Sequence, residues 1–148
     1  MSLPKKRLKV LGNLQPPKVL VQEVFSRQIK PDDFIGGNDY EAPEELKEFL
    51  TWQGMKLADI DHGMGLLLRV ESGVPTHTDH MESVVWFIGK RHRGINGGCS
   101  EVFAGDDHFV LETSEVGTVL YLDSTKKHGL VHVKGEKLGF ICFFVEPL

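Results

Sequence analysis

The chain has 148 residues, 41% of them hydrophobic, which suits one domain with a core of its own and leaves little room for a second. Its formal net charge of −4 argues against a dedicated nucleic-acid binder. No apolar run reaches the roughly 18–20 residues of a membrane span, and the start, MSLPKKRLKVLG, lacks the apolar stretch of a secretory signal, so the expectation is a soluble, cytoplasmic protein.

Residues 1–20 carry Lys5, Lys6, Arg7, Lys9 and Lys18 and no acid. That reads as a solvated tail or an edge strand, with contact to an anionic partner as the alternative. KVLVQEVF, residues 18–25, alternates as a strand would. IKPDDFIGGNDY is turn-rich, with Pro31, Gly36 and Gly37. APEELKEFLTWQG reads as a helix near 43–53. Pro43 suits its first turn, and Glu44 and Glu45 favour its positive N-terminal end. Leu46, Phe49, Leu50 and Gln53 share one face, and Gly54 can end the helix.

From Gly65 the texture changes. GLLLRV, SVVWFIG, SEVFAG, HFVLET, TVLYLD, GLVHVKG and LGFICFFVE are short, rich in Val, Ile, Leu and Phe, and separated by turn residues such as Gly97-Gly98. This is the pattern of an all-β sandwich or barrel. The expectation is a single domain over 1–148, with an α-containing extension at 1–62 and a β core at 63–148. The two cysteines, Cys99 and Cys142, suggest a reducing compartment and no disulfide framework. Cys142, in GFICFFV, is expected to be a buried thiol that packs, and the absence of CxxC excludes a thiolate zinc ribbon.

The chemistry concentrates in GVPTHTDHMES, residues 73–83. His77 and Asp79 are two apart, a spacing that at a strand end points both side chains the same way. Such a pair can hold a metal ion from one edge and needs a third ligand. His128, after the strand TVLYLD and a short turn, is the candidate. Two histidines and a carboxylate on one side of an ion form a facial triad with open positions, the arrangement that oxygen chemistry needs.

GTVLYLDSTKKHGLVHV followed by EKLGFICFFVEPL resembles the C-terminal half of the double-stranded β-helix of Fe(II)/2-oxoglutarate-dependent dioxygenases, nearest in type to the aspartyl/asparaginyl β-hydroxylase-like group. The elements are Gly117-Thr118-Val119, Asp123, His128 and Lys137, and RVESGVPTHTD resembles the family's approach to its HxD. The similarity covers roughly 63–148 and does not extend to 1–60.

The resemblance implies a mainly β, jelly-roll or cupin-like core. It implies Fe(II) held by His77, Asp79 and His128, with 2-oxoglutarate as co-substrate and hydroxylation of a C–H bond of an amino-acid side chain, peptidyl or free, or of a small metabolite. It also implies a basic residue on the last strand to anchor the far carboxylate of 2-oxoglutarate. Lys137 stands there, nine residues past His128, where the family usually has arginine. A lysine offers a point charge in place of a bidentate fork. His92, in GKRHRG, is a second candidate contact to the co-substrate, against a solvated basic turn. Asp123 reads either as a residue orienting the ligands or as a turn-former.

The other histidines have plainer readings. His80 has the opposite strand parity to the pair. His132 suits a partly buried strand position or the lining of a substrate pocket. His62 and His108 sit in turn-like settings, and Trp86 is core unless it faces the barrel mouth. Two rival functions use the same fold. A metal-binding cupin (an isomerase or other dioxygenase) would enlist Glu82 with His77 and His128, add Asp79 or His80, accept Mn, Ni, Zn or Fe, and need no 2-oxoglutarate. A binding module would keep the shape without catalysis. HTD in place of HxH, and Lys137, favour the oxygenase.

Overall fold

The Val-, Leu- and Phe-rich segments pair into two antiparallel sheets, because each carries apolar residues on both faces and can bury them only between layers. The computed structural model describes residues 3–4, 6–26, 38–71, 74–92, 100–111, 115–131 and 136–148. In chain order the elements are β1 (Leu8–Asn13), α1 (Lys18–Val24), β2 (Asn38–Glu41), α2 (Glu44–Trp52), β3 (Met55–Leu57), β4 (Met64–Val70), β5 (Val74–His77), β6 (Ser83–His92), β7 (Ser100–Ala104), β8 (Asp107–Leu111), β9 (Thr118–Leu122), β10 (His128–Val131) and β11 (Glu136–Pro147).

The larger sheet runs β1-β9-β6-β11-β4-β2, with β3 paired to the end of β11. The smaller runs β5-β10-β7-β8. This is the expected jelly-roll, cupin-like architecture. Residues 1–62 contribute more than helices: β1 pairs with β9, β2 with β4 and β3 with β11.

Strand alternation gives the larger sheet two apolar faces. Leu68, Val70, Val85, Phe87, Leu120, Leu122, Leu138 and Phe140 face the smaller sheet and pack with its Val102, Ala104 and Leu130. Leu67, Val84, Trp86, Ile88, Val119, Tyr121, Ile141, Phe143 and Val145 face outward and are covered by Leu20 and Val24 of α1 and Leu46 and Leu50 of α2. Trp86 is therefore core, its Nε1–H donating to the Leu14 carbonyl at 2.8 Å.

The α2 helix follows its local signals. Pro43 is its N-cap, Glu44 and Glu45 occupy its first turn, and Gly54 follows with φ +82. KVLVQEVF departs from expectation: it is helix α1, not a strand. Leu20 and Val24 are fully buried, Val21 and Phe25 are partly buried, and Val19 is exposed, a spacing of i, i+1, i+4, i+5 that belongs to a helix. The β-branched residues favour a strand locally, but tertiary packing overrides them. The sheet is shaped for this helix by Gly89 and Gly139, paired across β6 and β11. A Cβ at Gly139 would lie 2.7 Å from Val24 Cγ2, and one at Gly89 3.0 Å from Phe25 Cε2. Among the described residues no helix is long and apolar enough to cross a membrane.

Candidate metal centre

Cross-strand register, more than sequence spacing, assembles the candidate centre. On the smaller sheet His77 of β5 pairs directly with His128 of β10. Their ring centroids are 4.2 Å apart at 57°. Asp79, just past β5, turns its Oδ2 towards both, 3.6 Å from His77 Nε2 and 3.2 Å from His128 Nε2. The three donor atoms all lie within 4.8 Å of one another. His128 is buried, Asp79 half-buried and His77 exposed.

The backbone determines which nitrogen each ring presents. His77 Nδ1–H donates to the Pro75 carbonyl at 2.7 Å, and His128 Nδ1–H to the Lys126 carbonyl at 2.8 Å. Both Nε2 atoms are thereby aimed at the carboxylate, and a carbonyl partner on the far nitrogen is what orients metal-ligating histidines. The two Nε2 atoms then converge on a carboxylate oxygen that is itself an acceptor. Either an extra proton or a cation must fill such a gap, so the donor chemistry fits a divalent ion. Two nitrogens and one oxygen on one side form the set associated with non-haem ferrous iron.

The turn between β9 and β10 holds the arrangement. Asp79 N–H donates to the Ser124 carbonyl at 2.7 Å, and the fully buried Ser124 Oγ–H donates to the Met81 carbonyl. Asp123 Oδ1 accepts from Thr125 N–H at 3.3 Å and from its hydroxyl at 2.5 Å. Asp123 is thus a turn-former, the second of its two readings. Ser124 went unnoticed in the sequence; a small polar residue between the triad's third member and the strand before it is the one signal that pointed there.

The triad borders a cavity of about 820 Å³ between the sheets. The exposed members of its lining, Asp39, Ile60, His62, Pro75 and His77, mark the mouth. Its walls are Leu66, Leu68, Val85, Phe87, Phe140 and their neighbours. Cys142, partly buried against the inner core, also lines it. Burial, and then the nearby Asp79 charge, push that thiol up to about 12.

The remaining sequence candidates lie elsewhere. His80 is exposed, its ring 5.0 Å from that of Phe144. His62 is at the mouth in a left-handed conformation, φ 52, and His108 packs near Phe103. Glu82 does not join the donor group; its charge acts on Tyr121, whose hydroxyl it and Asp123 help burial to push up. Tyr121 lies on the outer face of β9, away from the triad. Position 137 pairs with Arg91 and position 92 with Glu136, in the middle of the larger sheet. The side chains of Lys137 and His92 lie outside the described residues, as do Cys99, His132 and the Gly97-Gly98 turn.

No protein-family model matches the chain, and neither does any curated protein sequence. Among solved structures it is similar to a prolyl-4-hydroxylase from Pseudomonas putida, with a TM-score of 0.58 at 15% identity over 97% of this chain and 95% of that one. It is similar to a cupin protein from Bacteroides fragilis, with a TM-score of 0.43 at 14% identity over 82% and 86% of the two chains. A cupin-2 domain containing protein from Shewanella frigidimarina gives 0.39 at 15% identity over 57% and 70%. The likeness to the prolyl-4-hydroxylase is one of fold, and it includes the N-terminal segment. The chain is a mainly β protein with a jelly-roll, cupin-like core and a His–Asp–His donor set that can hold a metal ion.

Proposed function

We propose that this protein is an Fe(II)/2-oxoglutarate-dependent oxygenase that hydroxylates a C–H bond, with the aspartyl/asparaginyl β-hydroxylase-like group as its nearest type. The observation that carries the reading is the convergence of His77 Nε2, His128 Nε2 and Asp79 Oδ2 at the mouth of an apolar cavity, with both Nδ1 atoms held by carbonyls. The position of Glu82, away from the donors, weighs against the cupin ligand set. The substrate is an amino-acid side chain, peptidyl or free, or a small metabolite. Two cysteines in a chain of this size suit a reducing compartment, which supports a cytoplasmic location.

When bound, ferrous iron and 2-oxoglutarate supply activation of dioxygen and removal of the substrate hydrogen. The residues of the chain do the rest. His77, His128 and Asp79 would hold the ion from one side. Asp79 would offset one of its two positive charges. The Pro75 and Lys126 carbonyls keep both rings in the ligating tautomer, and the apolar walls exclude water. The resemblance would give the far carboxylate of 2-oxoglutarate to Lys137, with His92 as a second contact.

One observation favours the second reading, a metal-binding cupin that needs no 2-oxoglutarate: among the described cavity-lining residues there is no lysine or arginine. An anaerobic titration separates the two. Fe(II) and then 2-oxoglutarate are added to metal-free protein while the visible charge-transfer absorption of a chelated keto acid is followed. The band is expected, and it is expected to vanish in His77→Ala and His128→Ala. Iron binding without a band gives the lead to the cupin; no metal binding removes the site.

A further inference from the structure

We infer that the cavity receives a neutral molecule with an apolar body, and that an aspartyl or asparaginyl side chain is not its ligand. For the reaction this rests on the oxygenase reading; for the ligand it rests on the cavity alone.

Exposure within the inner core gathers at the cavity, Leu8 of β1 at 8% being the exception. Leu68, Val85, Phe87, Leu122, Leu130 and Phe140 retain 4–7% of their surface, and all of them line it. Val70, Leu120 and Leu138, on the same strands but away from it, retain 0–1%. The fold closes this layer at one end and leaves an apolar chamber at the other. Its volume of about 820 Å³ falls in the range of small-molecule sites.

The described polar groups of the lining are few. Asp39 and His62 stand at the mouth, Ser83 is buried, and His77, Asp79 and His128 are the candidate ligands. In the oxygenase reading the ion would meet the keto-acid end of 2-oxoglutarate. A second carboxylate would then face Asp39 and Asp79 with no described cation to meet it. A carboxamide offers two donors and a carbonyl, and leaving them unpaired against leucine, valine and phenylalanine is unfavourable. An apolar body loses nothing on entry and gains by leaving water.

The test uses the metal-free full chain, so it does not depend on iron or 2-oxoglutarate. The neutral fluorophore N-phenyl-1-naphthylamine is titrated in, and saturable enhancement is expected. Leu66→Trp, which fills the chamber, should weaken binding at least tenfold. Val74→Trp, at the partly exposed edge of the lining, should do the same. Val19→Trp, on the exposed face of α1, should leave it unchanged. Indole should displace the probe, and N-acetyl-aspartate amide at the same concentration should not. Absent saturation, insensitivity to both cavity substitutions, or displacement by the aspartate derivative would overturn the inference. Failure of the keto-acid band would leave this result standing, so the two readings fail separately.

Discussion

The larger sheet has two apolar faces of similar composition, and they are closed in different ways. Outward, Leu67, Val84, Trp86, Ile88, Ile141 and Phe143 retain at most 2% of their surface beneath α1 and α2. Inward, Leu68, Val85, Phe87 and Phe140 retain 4–7% and border the cavity. Helices can lower side chains into a sheet until no gap remains, and the Gly89–Gly139 pair shows how closely α1 approaches. The four-stranded sheet opposite cannot cover a seven-stranded one to its edge. The uncovered end, beside β2 and β4, is where β5 brings His77 to its place. Stability is concentrated on one face of the sheet, and the candidate chemistry on the other.

Four substitutions break or sharpen that contrast. The largest effect is expected at the mouth of the inner face. Asp79→Ala should weaken Fe(II) binding by at least about 100-fold, since even removing a residue that only supports a ligand costs about 10–100-fold. Thermal unfolding of the metal-free variant should stay cooperative, because the Asp79 side chain is half-buried and its backbone N–H keeps the bond to the Ser124 carbonyl. Unchanged iron affinity would remove Asp79 from the site.

Leu67 and Leu68 are chain neighbours on opposite faces. Leu67→Ala opens a sealed core and should cost about 2–5 kcal/mol by denaturant unfolding, with metal affinity unchanged. Leu68→Ala enlarges a chamber already open to solvent and should cost less, while altering binding of the naphthylamine probe. Equal costs would mean that the two faces are packed alike.

The smallest effect concerns Cys142 on the inner face. Its thiol is held neutral in the fold up to about 12, whereas an ordinary cysteine ionises near 9.0. The raised value makes the unfolded chain lose its proton first. Stability from this group is therefore complete below about pH 9 and falls as pH rises towards about 12, by at most about 1.4 kcal/mol per pH unit. Cys142→Ala should flatten the alkaline limb of a stability–pH curve. It should do so only in part, because Tyr121, pushed up by burial and then by Glu82 and Asp123, adds a loss of the same sign.

What the sequence alone determined was local. Alternation and turn residues marked β4 and β6–β11, because a strand's two faces are written in its own side chains. Proline, two glutamates and a terminal glycine marked α2, because caps act within one turn. HxD and the histidine after TVLYLD marked the donors, because a ligand type is a property of one residue. Tertiary structure decided the rest. KVLVQEV satisfies a strand and a helix nearly equally, and only a sheet face left bare above two glycines made it α1. Glu82 and Asp79 are three residues apart, and only the fold set one beside Tyr121 and the other beside His128. The meeting of His77 with His128 depends on the register of β5 against β10, a contact between residues distant in the chain. So does the cavity, since no single segment encodes the space that two sheets leave between them.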